Sequence, residues 1–308
     1  MFKWIVGDTS HSTSRRKRIF SSFSTKGAFL MLAKPYLSTF LRIYLIISWV
    51  VMSAGCSQWD RSHLSNASIP KLEKPHFKIP VGERMVFSIR WLGMEVGTAA
   101  VKVEEIVKMN ERDAYHVSVH VRSNKFIDLF YPVRDEHHSY IDVEHLYSLR
   151  YERKMKQRDY RADELITFDQ VNHKGLYESK RSGDTKEMII PENVQDPVSC
   201  TYWFRMQPLE PGTVIHIPVN VDEKNWTLEV HVEDFEQVVV DGFGQMVAIR
   251  TEPIFKFQGL FMSRGRVWGW MGTDERRTPL VMKTKIKILG AINVVIKEYE
   301  AGDYHVEA

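Results

Sequence analysis

The chain has 308 residues, of which 44% are apolar and 26% charged, a balance that supplies a packed core and excludes wholesale disorder. Its formal charge of +3 misdescribes most of the protein, because eight Lys or Arg and a single acid, Asp8, precede residue 56. The remaining 34 basic and 38 acidic residues carry a formal −4 and give no electrostatic reason to bind nucleic acid.

Residues 1–55 read as a leader. Ile43–Val51 is apolar apart from Ser48, with Lys34 and Arg42 before it and Ser53-Ala54-Gly55 after it, the three parts of a secretory signal. The 13 residues from Ile43 to Gly55 fall short of the roughly 20 that a spanning helix needs, and extending upstream would bury Arg42 in hydrocarbon. Ala54-Gly55-Cys56 resembles a bacterial lipobox, in which the first mature cysteine receives a diacylglycerol, although Ser53 stands where Leu is usual. A plain cleaved signal and an uncleaved anchor are the rival readings. Met31 would open a leader of ordinary length, with the Ser- and Arg-rich residues before it as an upstream extension. Ser57 replaces the Asp that commonly retains lipoproteins at the inner membrane, which points to the outer membrane, facing the periplasm. With Cys56 acylated, only Cys200 remains. No intramolecular disulfide is then available, and Cys200, close to Tyr202-Trp203-Phe204, reads as a buried small hydrophobe rather than a nucleophile.

The stretch 56–80 combines the lipidated cysteine with a polar linker broken by Pro70, Pro75 and Pro80. Beyond it, period-two alternation is nearly continuous. Met85, Phe87, Ile89 and Trp91 share one strand face, Leu92-Gly93-Met94 turns, and Ala99, Val101 and Val103 align next. Asn110-Glu111-Arg112-Asp113 turns again before Tyr115, Val117, Val119 and Val121. Further strands are expected near 133–143, 146–157, 160–170, 174–181, 185–190, 213–221, 225–236, 246–257, 264–273, 278–288 and 291–299. Ser123–Tyr131 reads as a short helix or wide loop, and Asp196–Gln207 as a helix with a capping start, stopped by Pro208. The expected fold is all-β: one large curved antiparallel meander over 81–300, closing as a barrel or a helix-covered half-barrel, with 301–308 as a tail.

These residues resemble a bacterial family of unknown function, DUF 3108, over Pro80–Tyr299. The resemblance rests on Val81-Gly82-Glu83 leading into Phe87-Ser88-Ile89-Arg90-Trp91, then Gly93 and Gly97-Thr98-Ala99. It continues through Asp196-Pro197-Val198-Ser199 with Tyr202 and Arg205, and Leu209-Glu210-Pro211-Gly212. Arg266-Val267-Trp268, Asp274 with Arg276-Arg277 and Pro279, and Gly290-Ala291-Ile292 complete it. The resemblance implies an exported envelope protein with no accepted catalytic motif. Gly97 and Gly212 are expected at turns with positive φ.

Chemistry-bearing patterns are sparse. His137 and His138 are adjacent on a strand and so face opposite ways; His116 and His120 share a face but stand about 13 Å apart, too far for one ion. HExxH and G-x-S-x-G are absent. The pairs Asp135-Glu136, Glu104-Glu105 and Asp163-Glu164 alternate faces, and Arg276-Arg277 reads as part of a polar turn with Asp274-Glu275. No metal, cofactor or catalytic residue is assigned. The candidate ligand-lining residues inside the sheet are Phe87, Trp91, Phe255, Phe257, Trp268 and Trp270. The expected function is therefore non-enzymatic: a lipid-anchored envelope protein that binds or shuttles an apolar or amphipathic ligand, a lipid or lipoprotein segment. The alternative is a scaffold or assembly factor holding an envelope protein through a sheet edge or loops.

Overall fold

The computed structural model describes residues 78–257, 260–261, 265–286 and 290–304. The leader, Cys56 and the linker up to residue 77 lie outside these residues, as do 305–308.

The alternation folds into strands β1 (Arg84–Trp91), β2 (Met94–Met109) and β3 (Arg112–Ser123). After a single helical turn, α1 (Lys125–Asp128), come β4 (Val133–Asp142), β5 (Ser148–Gln157), β6 (Tyr160–Asp169), β7 (Lys174–Ser179) and β8 (Thr185–Ile189). Helix α2 (Ser199–Arg205) precedes β9 (Val214–Val221), β10 (Lys224–Val240), β11 (Gly244–Phe257) and the two-residue β12 (Leu260–Phe261). β13 (Gly265–Gly272), β14 (Pro279–Ile286) and β15 (Gly290–Glu300) follow. Among the described residues no helix is long and apolar enough to cross a membrane.

Several hairpins close through two residues in the left-handed region: Leu92-Gly93 (φ 52° and 78°), Asn110-Glu111 (45° and 70°) and Asp222-Glu223 (48° and 58°). That backbone matches the right-handed twist of the flanking strands, so each turn sets the register of its hairpin. Gly212 has positive φ as expected, at 84°. Gly97 does not sit at a turn. It lies within β2, where an added Cβ would come within 2.6 Å of the Arg122 carbonyl oxygen on β3, so glycine is needed there for close approach of two strands.

One antiparallel sheet results, in the order β8-β7-β6-β5-β4-β3-β2-β1-β15-β14-β13-β11-β10-β9, with β12 beside β11. The last strand returns to the first, with Arg84 opposite Glu300 and Trp91 opposite Ile292. The sheet does not close strand to strand. Its edges, β8 and β9, are bridged by the chain after β8: the Gln195 N–H donates to the Pro218 carbonyl at 2.8 Å, and the Asn220 N–H to the Gln195 carbonyl at 2.8 Å. The Asn225 side-chain amide adds a bond to the Ile189 carbonyl at 2.7 Å. The fold is thus the helix-covered half-barrel of the two expected forms.

Helix α2 fills the concavity. Tyr202 and Met206 pack in the cluster containing Phe87, Val101, Val119 and Val294. Cys200 and Phe204 pack in the one containing Ile217, Leu228, Val230 and Met271. Seven residues are too few for a helix to persist alone, so α2 owes its existence to burial, worth about 1.5–3 kcal/mol for each large apolar side chain.

Candidate functional site

Two polar anchors hold α2 in place. At its start the Asp196 carboxylate accepts the backbone N–H groups of Val198 (2.7 Å) and Ser199 (2.9 Å). Its other oxygen accepts the hydroxyls of Ser139 on β4 and Ser148 on β5, both at 2.6 Å. Asp196 is therefore the capping residue foreseen in the sequence, although regular helix begins only at Ser199. Burial pushes its carboxyl above the usual range while these four hydrogen bonds pull it back. At the other end Arg205 forms a fork with Glu83, Nη1 to Oε2 at 2.7 Å and Nη2 to Oε1 at 2.6 Å, and its Nε donates to the Arg276 carbonyl at 2.9 Å. Both partners are buried, Glu83 completely. The Tyr299 hydroxyl also donates to Glu83, at 3.3 Å.

Between these anchors, under α2, lies a cavity of about 200 Å³. The sheet contributes Phe87 (β1), Val101 (β2), Val119 (β3), Val230 (β10) and Met271 (β13), and the helix contributes Cys200, Thr201, Tyr202 and Phe204. Thr201, which borders the cavity, is itself exposed on α2. The Cys200 thiol is pushed up to about 12 by burial and donates to the Pro197 carbonyl at 3.4 Å. Burial thus holds it as a neutral thiol within the packed core.

Of the aromatic residues singled out in the sequence, Phe87 lines this cavity. Trp268 and Trp270 do not. They alternate with Gly269 and Met271, which line it, and so point to the other face of β13. There the Arg266 guanidinium lies 4.8 Å from the centre of the Trp268 ring, and the Trp270 indole N–H donates to Glu236 at 2.8 Å. Trp91, at the far end of β1, is half-buried and outside the lining. Phe255 packs edge-on against Trp226, with ring centres 6.1 Å apart; the Phe257 side chain lies outside the described residues. Besides Phe87 and the two aromatics of α2, the cavity is walled by aliphatic residues and Gly269, whose inward face alternation alone does not distinguish from the outward one.

Beside the cavity the inner face turns polar. His137, buried on β4, is 2.7 Å from the Tyr151 hydroxyl through Nδ1; burial, reinforced by Arg153, drops its pKa to about 3 and keeps it neutral. Arg153 is paired with Glu164 and with Asp222, the latter at 2.8 Å. Asp135, also buried, accepts from the Gln157 amide and the Lys156 N–H, yet burial lifts its pKa to about 6. His138 faces outwards, as its adjacency to His137 requires, 2.9 Å from His116 and 2.8 Å from Glu136. Among the described residues no three His, Cys, Asp or Glu side chains converge as a metal site. Arg277 departs from the expected polar turn residue: it is buried, with φ 48°, and donates to the carbonyls of Thr273 (3.0 Å) and Asp274 (2.7 Å).

The Glu83–Arg205 fork was not visible in the sequence. Both residues stand among those that carry the family resemblance, but 122 positions separate them and no spacing rule joins them.

A family model described as "Protein of unknown function (DUF3108)" matches residues 86–297. No curated protein matches the chain. Among solved structures, a β-barrel-like protein of the DUF1849 domain from Brucella abortus aligns over 71% of this chain and 97% of its own, at 9% identity and a TM-score of 0.48. A candidate lipoprotein from Parabacteroides distasonis aligns over 74% and 100%, at 7% identity and a TM-score of 0.34. A candidate exported protein with a YmcC-like fold from Bacteroides fragilis aligns over 73% and 99%, at 11% identity and a TM-score of 0.29.

Proposed function

Because this chain belongs to the DUF3108 family, whose description names no activity, we propose its function from its own geometry: a lipid-anchored envelope protein that takes an apolar or amphipathic ligand beneath α2. The observation that carries this reading is the apolar cavity of about 200 Å³ between α2 and the sheet. The volume is below the roughly 300–1,000 Å³ of sites that enclose drug-sized ligands and suits one alkyl chain or one aromatic ring, with the polar end at Thr201. The signal-like run Ile43–Val51 and the Ala54-Gly55-Cys56 ending support export and acylation at Cys56. Ser57 favours the outer membrane.

Native mass spectrometry of the chain from Ser57 onward, exported to the periplasm and purified without detergent, tests the ligand. A bound apolar molecule that is lost when Val119→Phe and Met271→Phe fill the cavity supports the reading. A protein that stays unliganded after exposure to envelope lipids refutes it.

A further inference from the structure

The connection from β3 to β4 displays apolar side chains to solvent. Around α1, Phe126 is 59%, Leu129 76% and Phe130 63% exposed, and in the neighbouring β1–β2 turn Leu92 is 41% and Met94 55% exposed. The two elements are joined, since the Asn124 N–H donates to the Val96 carbonyl at 2.9 Å and the Asn124 side-chain amide to the Glu95 carbonyl. Polar struts fix the display. Asn124 Oδ1 accepts the Ile127 N–H at 2.9 Å, and Arg134 grips Asp128 through two bonds of 3.0 and 2.5 Å. A rigid, exposed apolar tip of this kind marks a surface built to meet something.

Charge identifies what it meets. Beside α1 the strand register places Arg122 opposite Arg134, Arg134 opposite Lys156, and Lys156 opposite Arg161. Four exposed cations thus form one row across β3–β6, about 14 Å wide at ordinary strand spacing. Among the described residues only Arg134 of the four has a carboxylate partner, Asp128. One row further from α1, His120, Glu136, Lys154 and Asp163 mix the two signs. Like charges placed directly opposite destabilise a sheet, so the uniform row is a cost that an external anion has to offset.

We propose that the α1 end of the half-barrel is a second membrane contact, in which Phe126, Leu129 and Phe130 enter the headgroup boundary of an anionic bilayer and Arg122, Lys156 and Arg161 meet its phosphates. The tip lies about 20 Å along β2 from the point where Gly82 binds Val103. The 21 residues between Cys56 and Lys78 reach at most about 75 Å, enough for the tip and an anchor at Cys56 to share one membrane. The contact is independent of the ligand reading.

The test uses the chain from residue 56 onward carrying Cys56→Ser, so that neither the apolar leader nor an acyl anchor holds it to the vesicle and Cys200 stays buried. An environment-sensitive NBD dye is attached at Leu129→Cys or, as a control, at Val171→Cys, which is 79% exposed in the β6–β7 turn at the other end of the strands. On vesicles of phosphatidylcholine with one quarter phosphatidylglycerol, the dye at 129 shifts to the blue and brightens, and the dye at 171 does not. Replacing Arg122, Lys156 and Arg161 by Gln, all at exposed positions, lowers the partition constant on the order of 100-fold; thermal melting checks that this variant is folded. No response at 129, an equal response at 171, or indifference to the triple neutralisation overturns the proposal. So does a concentration-dependent response without vesicles, which would assign the tip to a second copy of this chain.

Discussion

Replacing Arg205 by Met removes the cation facing Glu83 and leaves a carboxylate with no exposed surface and only neutral tyrosine hydroxyls beside it, that of Tyr299 at 3.3 Å. Breaking a buried pair in this way costs about 3–5 kcal/mol, because the surviving charge keeps its desolvation penalty and loses its compensation. At about 2–4 °C per kcal/mol for a domain of this size, the melting temperature should fall by about 6–20 °C. Combining Glu83→Leu with Arg205→Met removes both charges and should recover most of the loss, since well-packed apolar replacements of buried pairs are often neutral. Denaturant unfolding followed by tryptophan fluorescence across the four-membered cycle yields the coupling directly. If Arg205→Met lies within about 1 kcal/mol of the parent, or the double variant equals the sum of the singles, the fork does not hold α2 and the reasoning fails.

Acid should act through two buried groups of opposite sign. His137, with a pKa near 3 when folded, must stay neutral, so stability falls as pH drops below the ordinary histidine value of about 6.5, by up to about 1.4 kcal/mol per pH unit. His137→Phe should flatten that slope. Asp135, raised to about 6, contributes stability below the unfolded carboxyl value that is lost as pH rises to 6. Asp135→Asn should therefore steepen the acid loss, as read from unfolding midpoints at pH 4, 5 and 6. Cys200, on the buried face of α2, should react slowly with a thiol reagent in a Cys56→Ser background and markedly faster after Arg205→Met. Equal rates would mean that the Arg205 anchor does not keep α2 docked on the sheet. Gly97→Ala should cost about 1–3 kcal/mol through the contact with the Arg122 carbonyl, measured by thermal unfolding.

Strand positions were legible because alternation is a local property. The expected 133–143, 160–170 and 291–299 became β4, β5's neighbour β6 and β15 with shifts of a residue or so at their ends. Only the β10–β11 hairpin was underestimated. Its register jumps between Val232 and Phe235 and breaks the alternation at the point where the expected strand stops. The existence of α2 was legible from Asp196 and its apolar spacing. Which sheet face lines a cavity was not, because apolar residues occur on both faces of β13. Large aromatics are the natural candidates, whereas the cavity is bordered by the side-chain-less Gly269 and the aliphatic Met271 on the opposite face, with Trp268 and Trp270 engaged by Arg266 and Glu236. The anchors of α2 were illegible for a different reason. Glu83–Arg205 and Asp196 with Ser139 and Ser148 are pairings between distant segments, which only the folded sheet brings together.

The central claim is that an apolar molecule resides beneath α2, and photo-crosslinking with a diazirine-bearing fatty acid tests it most directly. Adducts mapped by peptide mass spectrometry should concentrate on the segments carrying Cys200–Phe204, Val230 and Met271, and should disappear when unlabelled fatty acid is added in excess. Adducts spread over the outer surface, or confined to α1 with the cavity untouched, would contradict the account.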